Sequence, residues 1–193
     1  MTACQKIDIG KGTSVRHNVG IAEVKVVERP DTLQTVLGSC IGIAIYDRVA
    51  KIGGLGHIIL PDSKAGKGDR GKFADTAVDW LVDELVEAGC LKGRLAAKIT
   101  GGASMFGLVS NAGIGERNAE AVKERLGRHS IRLVAAHTGG DKGRKMTLNP
   151  ENGEVCVRFI GAEPITMTPK RQATMDRLFA EREAPRGHTG ISS

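Results

Sequence analysis

Apolar positions along the chain change period several times, and each change marks an element. Ile21 to Glu28 alternates apolar and polar side chains as a half-buried strand does, and Thr32 to Leu37 leads on in the same manner. Ile41 to Tyr46 and Leu55 to Leu60 are nearly continuous apolar runs separated by Asp47 to Ile52 and the Gly53-Gly54 pair, which predicts a β-hairpin. After a Lys- and Gly-rich loop over residues 62 to 72, Phe73, Ala77, Trp80, Leu81, Leu85 and Ala88 recur at helical spacing. They predict a helix with that stripe in the core and Gly89 just past its end. Leu95 to Thr100 predicts a strand feeding a Gly101-Gly102 turn, Arg117 to Leu126 a helix closed by Gly127, and Ile131 to Ala136 a further strand. Lys145 to Leu148 and Glu154 to Ile160 flank Asn149-Pro150-Glu151-Asn152-Gly153 as a late hairpin. Thr168-Pro169 supplies an N-cap and a first-turn proline for a last helix carrying Met175, Leu178 and Phe179.

This mixture predicts an α/β protein in which sheet is covered by helix. With 193 residues the chain suits one domain with a real core. The expected division is a flexible polar arm over residues 1–19, the domain over residues 20–183 and a disordered tail over residues 184–193.

Composition narrows the function classes. No stretch approaches the roughly 18 consecutive apolar residues of a membrane span, and the N-terminus has no apolar signal core. Cytoplasmic location without membrane insertion is the expectation. Cysteines at 4, 40, 90 and 156 form no C-x-x-C pair, so neither a zinc site nor a compact disulfide framework is indicated and reduced thiols are expected. The net charge of +6 favours acidic partners, but one Trp, one Tyr and four Phe offer little to stack on exposed bases, so nucleic acid is not expected. Gly66 to Lys72 matches the spacing of a phosphate-binding loop, yet Phe73 stands where Ser or Thr must ligate Mg²⁺. Gly139 to Arg144 is too loose for a nucleotide motif and reads as a solvated turn or a substrate-facing loop.

Candidate chemistry centres on Cys40 and His57, since an imidazole near a thiol can take its proton at neutral pH and create a nucleophile. If the hairpin loop has an even number of residues, His57 pairs with an even-numbered residue such as 40 or 42. The two side chains then share a face, with Cβ atoms roughly 5 to 8 Å apart. An odd loop, or a bulge at Gly53-Gly54, breaks that inference. Buried cysteines and histidines are more often inert core residues, and these two alone do not decide the matter. Gly38 and Gly56 add the open space that lets a backbone N–H approach a carbonyl oxygen. If His57 lowers the Cys40 thiol pKa, Cys40 should be alkylated faster than the other cysteines near pH 7.

The string Thr35-Val36-Leu37-Gly38-Ser39-Cys40-Ile41-Gly42-Ile43-Ala44-Ile45-Tyr46-Asp47, followed by Gly53-Gly54-Leu55-Gly56-His57-Ile58-Ile59-Leu60-Pro61, resembles the CheD family of chemoreceptor glutamine deamidases. Lys98 to Phe106, Ile114 to Asn118 and Thr138 to Met146 resemble it too, in the same order. The resemblance implies a layered α/β/β sandwich with mixed sheets and a Cys/His amidohydrolase, a protein-glutamine glutaminase needing no cofactor or metal. Its substrates are methyl-accepting chemotaxis receptors, and a CheC-type phosphatase is an implied partner. By position Cys40 is the nucleophile, His57 the general base and acid, and Thr35 the residue orienting the imidazole, with Thr32 competing for that role. Beside these, the backbone at Gly38 and Ser39 next to the cysteine is the expected oxyanion or substrate-positioning element. A γ-glutamyl methyl ester presents the same acyl carbon, so methylesterase activity could accompany deamidation, and the alternative function is non-catalytic docking on chemoreceptors or on a CheC-type phosphatase. One departure is Ala136-His137-Thr138, where relatives often carry an acidic residue ahead of the Gly-Gly pair.

Overall fold

The computed structural model describes residues 14–65, 68–104, 113–160 and 165–167. In chain order its strands and helices are β1 (Arg16–Asn18), β2 (Val24–Glu28), β3 (Thr32–Leu37), β4 (Ile41–Asp47), β5 (Ile52–Ile58), α1 (Ala74–Glu87), β6 (Ala96–Gly101), α2 (Ile114–Arg128), β7 (Arg132–Thr138), β8 (Arg144–Asn149), β9 (Glu154–Phe159) and β10 (Ile165–Thr166). A central sheet runs β2-β5-β4-β6-β7 and an outer sheet β1-β3-β8-β9-β10. Both are mixed, because β6/β7 and β1/β3 are parallel and the remaining pairs antiparallel.

The central sheet is covered on both faces, which explains the unbroken apolar runs of β4 and β5. One face packs Ile43, Ile45 and Ile99 against Leu81 and Leu85 of α1 and Val122 and Leu126 of α2. The other packs Ala44 and Leu55 against Leu33, Leu37, Met146, Leu148, Val155 and Val157 of the outer sheet. The layers are therefore α/β/β around one domain.

The hairpin turn holds four residues, 48–51, and the β4/β5 register is continuous from Asp47↔Ile52 to Ile41↔Ile58. Gly53 and Gly54 are strand residues without a bulge. Leu148 and Leu81 fill the space a side chain would take there.

Several elements differ from the sequence reading. Residues 16–18, assigned to the polar arm, form β1 alongside β3. In α1 the buried face is Ala74, Ala77, Val78, Leu81, Val82 and Leu85. Trp80 lies at its margin, donating to Glu84 under the Arg70 guanidinium, and Ala88 is exposed. Gly89 does follow the C-cap, at φ +96. Helix α2 starts at Ile114 and runs through Gly127 to Arg128, because burial of Val122 and Leu126 outweighs the roughly 1 kcal/mol helix cost of one glycine. Ser130, at φ 56, follows its C-cap instead. In β7, Ala97 pairs with Leu133 but Lys98 with Ala135, so Val134 is an extra, bulged residue. The helix expected from Thr168 and the tail lie outside the described residues.

Candidate active site

The sheet register brings Cys40 and His57 to one face. Gly42 is the cross-strand partner of His57, and Cys40 stands two residues before Gly42. Cys40 is half-buried against the apolar layer between the sheets, the side on which His57 also lies. The pair is thus one diagonal step apart on the inter-sheet face.

Thr35 meets them from the outer sheet. Its Oγ1 lies 2.8 Å from His57 Nδ1 and 2.8 Å from the carbonyl oxygen of Val19. A carbonyl can only accept, so the single hydroxyl proton goes to Val19 and Thr35 accepts from Nδ1–H. That fixes the tautomer and leaves a lone pair on Nε2, which is buried with no hydrogen-bond partner. Thr32 has the opposite parity on β3, and its side chain points to the other face of the outer sheet. The backbone of His57 is held as well: its N–H donates to Glu23 and its carbonyl accepts from Ala22, both 3.0 Å.

Burial sets the resting protonation. It pushes the Cys40 thiol above its ordinary value, with the residue's own backbone N–H pulling back in part, and pushes the His57 imidazole down. The pair therefore rests as thiol and neutral imidazole. Desolvation of the half-buried sulfur disfavours the anion and so works against the lowering of the thiol pKa that an imidazole partner would bring.

Three loops surround the cysteine. Gly102 N–H donates to the Cys40 carbonyl at 2.8 Å, and Ala103 N–H to the Gly38 carbonyl at 2.9 Å. Gly139 N–H donates to Gly101 at 2.9 Å, and Ser104 N–H to Gly140 at 2.8 Å. Carbonyls of the 38–40 turn are thus drawn toward β6. A Cβ on Gly101 would sit 2.0 Å from the Cys40 carbonyl oxygen, so this contact requires glycine. Gly56 plays no such part, since the space beside it is filled by Ile43, Val24 and Leu81 on the helix side.

Residues that the sequence reading left aside complete the surroundings. Asn118, fully buried on α2, donates to the carbonyl of Ile59 at 2.7 Å, just beyond β5. Arg144 is fully buried and points between the sheets; burial pushes its pKa down to about 10, which leaves it a cation at neutral pH. Its inward parity with Met146 and Leu148 was available in the alternation of β8. Cys90 is free and buried, whereas Cys156 is disulfide-bonded, a correction to the expectation of reduced thiols that the wide spacing of the cysteines along the sequence could not indicate. Among the described residues no helix is long and apolar enough to cross a membrane.

An α/β/β domain with a thiol, an oriented imidazole and a hydroxyl between its sheets defines a class of arrangement. Comparison with known proteins defines the family. The model of CheD, chemotactic sensory transduction, matches residues 59–159. A protein of Symbiobacterium thermophilum named probable chemoreceptor glutamine deamidase CheD is 47% identical over 151 residues, covering 74% of this chain and 92% of the relative. The chemoreceptor glutamine deamidase CheD of Halalkalibacterium halodurans is 44% identical over 149 residues, with the same two shares. Among solved structures, the hypothetical protein YfiH of Bacillus licheniformis aligns with a TM-score of 0.42 at 13% identity, over 59% of this chain and 49% of that one. The chain belongs to the CheD family.

Proposed function

We propose that the protein deamidates glutamine side chains of methyl-accepting chemotaxis receptors, with Cys40 as nucleophile, His57 as general base and acid, and Thr35 as the residue that orients the imidazole. The observation that carries this reading is the Thr35–His57 contact at 2.8 Å, which turns an unprotonated Nε2 free for the thiol proton. The names of the relatives support the substrate class.

In the proposed reaction Nε2 takes the Cys40 proton as sulfur attacks the γ-carboxamide carbon. The oxygen of the tetrahedral intermediate is stabilised by backbone N–H groups at Ser39 and Cys40, in a turn whose opening residue is Gly38. The imidazolium returns the proton to nitrogen, ammonia leaves, and a thioester remains. Water, deprotonated by Nε2, then attacks the thioester carbon, releasing glutamate and restoring the thiol. Glutamine and water become glutamate and ammonia with no cofactor. Each turnover adds one negative charge to a receptor helix. A γ-glutamyl methyl ester presents the same acyl carbon, so methylesterase activity follows from the same chemistry.

Incubation of purified receptor with the protein, followed by mass spectrometry, tests the proposal: the expected result is amide-to-carboxylate conversion with matching ammonia release, lost in Cys40→Ala. Undiminished conversion by Cys40→Ala sinks the assignment. Cys40→Ser changes one atom and keeps the surface, so it should still bind receptor. Cells carrying only Cys40→Ser that respond like wild type would favour docking on receptors or on a CheC-type phosphatase as the protein's contribution.

A further inference from the structure

We propose that Arg144 is a positioning residue for Cys40, holding the nucleophile turn through a chain of backbone hydrogen bonds that begins at its guanidinium. The proposal rests on the reading of Cys40 as nucleophile.

Arg144 pairs through its backbone with Leu37, the last residue of β3 before the Gly38-Ser39-Cys40 turn. Its side chain reaches the facing loop. Nη1 donates to the carbonyl of His137 at 2.9 Å and to His137 Nδ1 at 3.0 Å. Nη2 donates to the carbonyls of Gly139 and Lys142. The guanidinium packs over the Phe159 ring, 5.0 Å from its centroid. No carboxylate oxygen is among these partners. A buried cation is costly unless its donors are satisfied, and a Met or Leu would fill the same volume without that cost. What an apolar side chain could not do is fix three carbonyls of one loop at once, which the planar fork of arginine allows.

The fixed loop in turn fixes the nucleophile. Gly139 N–H, next to the carbonyl that Arg144 grips, donates to Gly101, and the Gly140 carbonyl accepts from Ser104. The 101–104 turn clamped in this way donates from Gly102 to the Cys40 carbonyl and from Ala103 to the Gly38 carbonyl. The Gly38 and Cys40 carbonyls are thereby held toward the 101–104 turn, and the planar Gly38–Ser39 peptide carries the Ser39 N–H with the first of them, so that this donor is set by the same bond. Orientation of such donors by a fraction of an ångström controls rate more than binding.

The test compares Arg144→Met and Arg144→Lys with wild type, using receptor deamidation for kcat and KM, and amide hydrogen exchange at Gly102 and Ala103. Arg144→Met should lower kcat about tenfold to a hundredfold with KM within about twofold, and should speed exchange at both amides. Arg144→Lys should recover part of both. Should Arg144→Met fail to fold, Gly139→Ala replaces it: Gly139 has φ +83 and open space around it, so alanine strains the loop without a clash. The same loss of kcat is expected there. Variants with lowered melting temperature but kcat per folded molecule within about twofold of wild type, or with unchanged Gly102 and Ala103 exchange, would overturn the proposal. A wild-type protein that releases no ammonia would instead strike the functional reading, leaving the exchange measurement to decide on Arg144.

Discussion

The hydroxyl of Thr35 and the imidazole of His57 belong to different sheets and meet 2.8 Å apart across the layer between them. Sheet-on-sheet packing, and not the β4–β5 hairpin alone, therefore orients the His57 imidazole. Thr35→Val keeps the shape and removes the acceptor, freeing the ring to rotate or change tautomer. It should lower kcat about tenfold to a hundredfold, while Thr35→Ser, which keeps the hydroxyl, should stay close to wild type. Steady-state ammonia release from purified receptor measures both, and a Thr32→Val that does the greater damage would move the orienting role there.

The pH dependence follows from burial. The imidazole of His57 is pushed below its ordinary value of 6.5 and the Cys40 thiol above 9.0. The neutral imidazole thus already predominates at pH 6.5, and with His57 as the proposed base kcat/KM should fall only as pH drops below that value. Alkylation of Cys40 by iodoacetamide should keep rising through pH 9.0 without a plateau near neutrality. The same shift makes folding less favourable in acid: the unfolded chain takes the His57 proton near 6.5, the folded one only lower, so stability present above 6.5 is lost as pH falls through that window. His57→Gln should reduce this sensitivity, measured as melting temperature against pH.

Gly101, at φ +117, has the carbonyl of Cys40 directly in the path of any side chain. Gly101→Ala must displace the 38–40 turn, since neither backbone can yield locally. We expect it to cost about 1–3 kcal/mol of stability and to lower kcat at least tenfold. Denaturant melts together with deamidation rates check this, and an alanine variant with wild-type kcat would show that the Gly101–Cys40 approach does not set the reactive geometry.

At the opposite end of β4, Asp47 offers a control in which stability and activity separate. Its carboxylate is fully buried, yet its pKa is held low: burial pushes it up, but bonds from Ala50 N–H, Arg94, Val49 N–H and Leu91 N–H outweigh that. Asp47→Ala leaves those donors unpaired and should cost about 2–4 kcal/mol, discounted for the partial exposure of Arg94, without altering kcat per folded molecule. The wild-type contribution is present above pH 3.8 and lost as pH falls through the lowered folded value. Urea titration at neutral and acid pH, paired with kinetics, measures the separation.

The local readings that succeeded depend on chain geometry alone. Side chains of a strand alternate with period two, so an even turn puts Cys40 and His57 on one face whatever covers the hairpin, and a glycine after a helical stripe marks the end of α1, with Gly89 just past its C-cap. The sequence by itself also carried the family, through short ordered blocks around those residues. Tertiary structure decided the rest. Alternation says that Thr35 and Thr32 lie on opposite faces of β3, but only the stacking of the sheets says that the Thr35 face meets His57. It likewise turned Arg144 from one residue of a polar motif into a buried grip on the Gly139 loop. The bulge at Val134 has no local signature, yet the one residue it inserts moves Ala135 to the inter-sheet layer after Leu133 has faced the helices, and brings His137 opposite Thr100. Periodicity fixes which residues share a face; which faces meet, and where a strand slips by one residue, are set by packing between segments distant in the chain.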